Sequence, residues 1–148
     1  MSFHVVPGSA PTIEYAGRPM EILAGLQGRP SGFAVAQLTV PPGFPGPPPH
    51  AHDLFDEGIY VLAGSILVVG EEEPFEAGPG SLFVAPRSER HGFSNPSDEP
   101  AHVLGLWGPA DPAMTFMQAI GAVLPAHGPP DIETLRAVYE AHQSRLVP

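Results

Sequence analysis

His50, His52, Glu57 and His91 are the residues whose types and spacing point to chemistry. Residues i and i+2 of an extended chain project to the same side, so His50 and His52 can face one interior together. Glu57 opens a row that continues through Ile59, Val61 and Ala63. A carboxylate at the head of an apolar inward row is costly unless it is paired, hydrogen-bonded or metal-bound. His91 comes on a later segment, with Phe93 on the same side. Three imidazoles and one carboxylate form an intermediate-to-hard donor set, suited to one divalent Fe, Mn, Ni, Cu or Zn ion. In an octahedral field four such ligands leave two adjacent positions open for substrate, water or dioxygen, unlike a closed structural site.

Bringing these four groups together requires short strands that return repeatedly to one place. The pattern predicts strands at Thr12 to Tyr15, Met20 to Leu26 and Gly32 to Val40. Further strands are expected at Glu57 to Leu62, Ser65 to Val69, Ser81 to Ala85, His91 to Asn95 and Ala101 to Trp107. Ala63-Gly64, Gly78 to Gly80, Pro86 and Pro96 mark turns between them. In Gly32 to Val40 both faces are largely apolar, as in a sandwich or barrel. The stretch PPGFPGPPPHAH places six prolines between Pro41 and Pro49. Proline fixes φ, so this loop is stiff and suited to aiming His50 and His52 at one point. Asp111-Pro112 reads as a helix start, with Asp111 as N-cap, and Pro129-Pro130-Asp131 opens a second helix. Phe116, Met117, Ile120 and Leu124 form a stripe on the first. Ile132, Leu135, Val138, Tyr139 and His142 form one on the second. Both helices are expected to pack on the outside of the barrel, with a cavity mouth as the alternative place for Phe116 and Met117.

Composition narrows the function classes. The 148 residues carry 17 glycines and 21 prolines, which favours an all-β domain built of short strands. All six basic side chains are arginine, against sixteen acids, and the net charge is −10. That balance argues against nucleic acid or an anionic membrane as partner. With no cysteine there is neither a disulfide framework nor a thiolate site, which fits a cytoplasmic protein. No signal peptide and no membrane-spanning run are expected. The N-terminal strands, within about residues 3 to 26, lack an obvious partner, so a homodimer joined near them is expected.

These residues resemble two motifs of the cupin superfamily. His50, His52, Glu57 and Gly64 stand at the spacing of its first motif, and Gly80, Pro86, His91 and Asn95 at that of its second. Two positions depart from the pattern. Gly43 has six residues rather than five between it and His50, and Ser88 replaces a glycine. Both fall in turns, where altered loop shape is expected rather than a lost ligand. The resemblance covers about residues 32–107 and implies a double-stranded β-helix (jelly-roll) barrel, followed by two helices at about 111–145, in one domain of residues 1–148.

The resemblance to small single-domain bacterial cupins likened to quercetin dioxygenases implies a metal-dependent oxidoreductase. In such an enzyme the metal would bind the enolate of a hydroxy-ketone and dioxygen would attack the activated ring. Glu57 could then double as ligand and catalytic proton acceptor. A metal in an apolar barrel suits a small, mostly apolar aromatic or enolisable substrate. Phe33, Val35, Ile59, Val61 and Phe93 are candidate cavity liners, and Gln37 is a candidate partner of a metal-bound water. Arg87 and Arg90 are read as solvated turn residues, with a substrate oxygen as the alternative partner. A non-oxidative cyclase or isomerase of polyketide-like compounds is the alternative enzyme, and a non-catalytic ligand-binding cupin the third reading.

Overall fold

Alternating burial along short segments, each ended by glycine or proline, organises the chain into strands. The computed structural model describes residues 1–26 and 28–148. In chain order these are β1 (Thr12–Tyr15), β2 (Arg18–Ala24), β3 (Ala34–Val40), β4 (His50–His52), β5 (Asp56–Ala63), β6 (Ile66–Val69), β7 (Phe75–Ala77), β8 (Leu82–Ala85), β9 (Gly92–Ser94) and β10 (Ala101–Gly108). Two helices follow, α1 (Ala110–Val123) and α2 (Ile132–Ala141), and then β11 (Ser144–Leu146). The strand pairings within the sheets are antiparallel.

One wall of the barrel is a six-stranded sheet in the order β1-β2-β3-β10-β5-β8. The other is assembled from β7-β6-β9 and the pair β11-β4. Isolated bridges, His50 with His91 and Phe44 with Asn95, tie the strand and loop before β5 to the segment around β9. This is the jelly-roll barrel expected of a cupin, with two C-terminal helices. Val40, Ile59, Val61, Ile66, Val68 and Val103 fill one end of its interior. A second cluster, which includes Met20, Phe55, Trp107, Phe116, Ile120, Leu135 and Tyr139, joins the barrel to the helices.

The structure departs from the sequence expectations in several places. On β3 the buried face is Ala34, Ala36 and Val40, while Val35 is only half-buried and Gln37 is exposed. Phe33 precedes the strand and is 59% exposed. Both faces of this strand are apolar, so hydrophobicity alone does not choose between two phases one residue apart. The short strands β7 and β11 are not among the expected strands, and the extended His50–His52 segment is a strand in its own right, β4. The helices do not pack on the outside: α1 and α2 lie against the barrel opening. The first helix begins at Ala110 with Pro109 at the cap, and Asp111 stands within the first turn. There it still favours the positive end of the helix dipole. Asp131 does cap α2, accepting from the backbone N–H groups of Glu133 and Thr134.

The N-terminal strands have a partner within their own barrel: β2 pairs with β3 over Glu21 to Ala24, and β1 pairs with β2. The reason for placing a dimer interface there therefore falls away. Exposed apolar side chains gather instead on the outer face of β5 and β8, at Leu62, Leu82 and Val84. No helix among the described residues is long and apolar enough to cross a membrane.

Helix α1 rests directly on β1 at Gly121. A Cβ at that position would fall 2.0 Å from the Glu14 carbonyl oxygen, a backbone atom that cannot swing aside. The expected outcome is that Gly121→Ala destabilises the protein by about 2 kcal/mol or more through lost helix seating. Gly78→Ala, with nothing within 4 Å of its Cβ, is expected to stay within about 0.5 kcal/mol of the parent. Urea unfolding of the two variants checks the contrast.

Candidate metal centre

Each of the four polar residues is positioned by backbone before its side chain contributes anything. His50 and His52 lie on β4, two residues apart, and both point inward, at 4% and 2% exposure. His50 and His91 exchange backbone hydrogen bonds in both directions, at 2.9 and 2.8 Å. Glu57 is the second residue of β5, where it is flanked across the sheet by Ala85 of β8 and Trp107 of β10. Donor atoms of the four side chains all lie within 4.8 Å of one another. Ligands on opposite sides of a first-row metal stand roughly 4.0–4.6 Å apart, from bond lengths of 2.0–2.3 Å. A contraction of a few tenths of an ångström would let the cluster close on an ion.

Hydrogen bonds on the far side of each ring decide which nitrogen faces the centre. His50 Nδ1 contacts the Pro48 carbonyl oxygen at 2.8 Å, and His91 Nδ1 contacts that of Glu89 at 3.0 Å. A carbonyl only accepts, so both Nδ1 atoms carry the hydrogen and both Nε2 atoms keep a free lone pair. His52 Nδ1 meets the Ser144 hydroxyl at 2.8 Å, and that hydroxyl points on to the His142 carbonyl. Ser144 therefore accepts from His52, which leaves His52 in the same tautomer. The His52 ring is also walled by Phe55, stacked at 4.3 Å between centroids, and by Phe116 edge-on at 4.7 Å.

The inner atoms are less well satisfied. His52 Nε2 and His91 Nε2 each stand 3.4 Å from Glu57 Oε2, yet both are buried without a hydrogen-bond partner. An unpaired buried polar atom costs about 1–3 kcal/mol. A cation at the centre would satisfy both at once, so the residues fit a metal by donor type, tautomer and unmet need. Burial and the neighbouring His91 and His52 push the His50 imidazole down to about 3, so it stays neutral. Burial also lowers His52, against the pull of Glu57. For His91 burial acts downward too, but contact with Glu57 outweighs it and raises the imidazole. Glu57 itself would be raised by burial, and contact with His52 and His91 instead holds it well below the usual carboxylate range.

The cluster opens onto a small cavity with about 40 Å³ free to the centre of a water molecule. Of the expected liners, Ile59 and Phe93 border it. Phe33, Val35 and Gln37 do not, because β3 presents its other face, and Gln37 lies instead on a separate outer groove beside Val5, Val6 and Leu23. Val61 is fully buried but packs in the core at the other end of the barrel. Much of the wall comes from outside residues 32–107: Tyr15 and Met20 from the N-terminal hairpin, and Phe116, Met117, Ile120, Leu124 and Tyr139 from the helical part. The alternative place for Phe116 and Met117, at the cavity, is the one they take. Arg87 and Arg90 stay out of it. Arg87 pairs with Asp56 at the surface, and Arg90 donates to the Gly70 and Val147 carbonyls.

Ser88, standing where the motif has glycine, adopts a left-handed backbone with φ at +67°. This left-handed conformation costs a non-glycine residue roughly 1–2 kcal/mol. Opposing that cost, the Ser88 N–H donates to the His52 carbonyl at 2.7 Å and its hydroxyl to Asp53 at 2.8 Å. Arg145 of β11 donates to Asp53 and to the Ser88 carbonyl. The C-terminal strand thus straps the ligand-bearing strand in place. Nothing in the spacing of Ser144 or Arg145 signalled this, since the contacts span some ninety residues.

A jelly-roll barrel with a buried three-histidine, one-carboxylate cluster facing an internal cavity defines a class of small β-barrel proteins with a candidate metal site. Residues 36–107 match the family model of the cupin domain, and the chain belongs to the cupin superfamily. It is 30% identical over 111 residues to germin-like protein subfamily 2 member 3 of Arabidopsis thaliana, a match covering 72% of this chain. The chain spans about half the length of that curated relative (49%). Among solved structures, the polyketide cyclase RemF from Streptomyces resistomycificus superimposes with a TM-score of 0.61 at 25% identity, over 73% of this chain and 80% of that one. KdgF from Halomonas sp. gives 0.56 at 26% identity, over 65% and 82%.

The expected result of ¹⁵N-detected imidazole NMR on metal-free protein above neutral pH is the Nδ1–H tautomer for His50, His52 and His91. In Ser144→Ala only His52 should lose it. Unchanged His52 signals in that variant would disprove the positioning role of Ser144.

Proposed function

We propose that this cupin is a metal-dependent enzyme acting by Lewis-acid chemistry on a small, mostly apolar, enolisable carbonyl compound. The observation that carries the reading is the convergence of three imidazole Nε2 lone pairs and the Glu57 carboxylate on an apolar cavity with no arginine among the described residues of its wall. His50, His52, Glu57 and His91 would hold one divalent first-row ion, which would polarise a substrate carbonyl or enolate oxygen. Glu57, kept ionised by its histidine neighbours, is the group available to take a proton from the carbon next to that carbonyl. Phe93, Phe116, Ile120 and Leu124 exclude water and shape the carbon skeleton. The likeness to a polyketide cyclase supports a non-oxidative reaction of the cyclase or isomerase kind. A phosphorylated substrate fits poorly, because a dianion usually needs several Arg, Lys or helix N-terminal donors, and Arg87 and Arg90 lie outside the cavity.

Dioxygenation is the second reading, supported by the resemblance to quercetin dioxygenase-like cupins, since the same four ligands serve either chemistry. Assays with 1,3-diketones and phenolic ketones separate the two. Metal-dependent turnover without oxygen uptake is the outcome expected here; stoichiometric uptake would select the dioxygenase. His52→Ala is expected to abolish turnover and most metal binding, whereas His142→Ala should leave both intact. Ser144→Ala is expected to weaken metal binding about 10- to 100-fold, as the loss of a ligand's orienting partner commonly does.

Metal affinity should depend on pH in one direction. A proton and a metal compete for His91 Nε2, and contact with Glu57 raises the His91 imidazole above its ordinary value of 6.5. His91 is charged below its raised value and neutral above it. Equilibrium dialysis against Mn(II) is therefore expected to show affinity falling as pH drops through the raised His91 value, with His50, held near 3, adding no loss there.

A homodimer is also proposed, with the exposed Leu62, Leu82 and Val84 face of β5 and β8 as its surface. Sedimentation should give twice the chain mass for the parent and a monomer for Leu82→Glu. A parent that sediments as a monomer at micromolar concentration removes the proposal.

A further inference from the structure

The cavity wall holds polar groups that the metal cluster does not use. Tyr15 closes β1, and Tyr139 lies on the inner face of α2; both are buried and both border the cavity. Tyr139 sits edge-on to His50 at 5.1 Å between centroids and lies parallel to His52 at 6.1 Å. The Glu57 charge is felt at both phenols. No side-chain hydrogen bond to either hydroxyl occurs among the described residues; both phenols border the cavity, and neither hydroxyl is sealed off without a partner as the Trp107 N–H is. Trp107, directly opposite Glu57 in the β10–β5 register, also borders the cavity, and its indole N–H is buried without a partner. Buried polar groups left unpaired in a native structure call for an explanation.

These three groups share one chemical character. Each offers a hydrogen, and once the imidazoles and Glu57 face the centre, the wall retains only the two phenol oxygens as side-chain acceptors. The remaining liners include Met20, Leu38, Ile59, Val103 and Met117, which neither donate nor take part in strong hydrogen bonds. A polyhydroxylated sugar brings more hydroxyl hydrogens than this wall can accept. A ligand whose oxygens carry no hydrogen, such as a carboxylate, an enolate or a conjugated carbonyl, satisfies donors that otherwise stand empty. The free space admits only a few heavy atoms beside an ion, or the buried end of a longer molecule.

We propose that Tyr15 and Tyr139, assisted by the Trp107 N–H, form an oxygen-binding subsite that takes the second oxygen of a small, hydroxyl-poor ligand with two oxygen donor atoms, such as a β-diketone enolate or an α-keto acid. The inference rests on the metal-centre reading above and narrows its substrate class. Its two phenols bind and orient, and substrates lacking the second oxygen lose that contact.

The test uses the full chain loaded with Zn(II), acetohydroxamate as the two-oxygen probe and imidazole as a ligand without oxygen, each titrated by calorimetry. Tyr15→Phe and Tyr139→Phe should each weaken acetohydroxamate about tenfold, leave imidazole within twofold and leave Zn(II) affinity unchanged. Unchanged acetohydroxamate binding in both variants, or equal losses for both ligands, would overturn the subsite while leaving the metal centre standing. Parent protein that takes up no Zn(II) would overturn the metal reading and the subsite with it. Should either variant fail to fold, the parent decides: the ¹³Cζ resonances of Tyr15 and Tyr139 should move on adding acetohydroxamate but not imidazole, and resonances that stay still with both refute the proposal.

Discussion

The constraint on which this structure depends is the burial of an ionised carboxylate. Glu57 is 8% exposed, beside three imidazoles that are buried still more deeply. Removing such groups from water costs several kcal/mol per ion unless partners surround them. Three backbone segments, β4, β5 and the bridge at His91, therefore meet here, and reciprocal backbone hydrogen bonds join two of them at His50 and His91. The His50–His91 backbone pair fixes where the two side chains start, and the Nδ1 contacts to Pro48 and Glu89 fix how the rings point.

From this follows a division of labour around the centre. The outer nitrogens are paired, to Pro48, Ser144 and Glu89, which turns the inner nitrogens to the centre, where those of His52 and His91 have no partner. Free energy lost at the centre is offset by order at the periphery. The C-terminal strand contributes to this order out of proportion to its length. It adds a strand beside β4, a hydroxyl behind His52 and an arginine to the turn that precedes His91.

The cavity is a product of the same arrangement. Inside the barrel the strands alone would leave the cluster facing an open mouth. The N-terminal hairpin and the two helices close that mouth with aromatic and aliphatic side chains, and so lower the local dielectric around the charges. Electrostatic attraction within the cluster grows stronger as water leaves, and the penalty for an unpaired donor such as the Trp107 N–H grows with it.

What the residues alone determined was the identity of the chemical cluster and the class of fold. His50, His52, Glu57 and His91 are legible because a ligand set needs particular atoms at particular offsets along extended chain, and local geometry converts those offsets into direction. Strands such as β5 and β10 were legible for the same reason: their period is short and their ends are marked. The cavity wall was not. Val35 and Gln37 were assigned to the wrong face because an apolar strand reads equally well in either phase, and only packing against β2 and β10 chooses. Tyr15 and Tyr139 read locally only as a strand end and a helix stripe, and Ser144 as nothing, since their roles come from contacts across most of the chain. Ser88 shows the limit from the other side. It stands where the motif has glycine and takes a left-handed conformation, which contacts with His52, Asp53 and Arg145 hold in place. Short-range spacing specifies which groups can act; only the closed tertiary structure decides what surrounds them, because surroundings are set by burial and burial is a property of the whole.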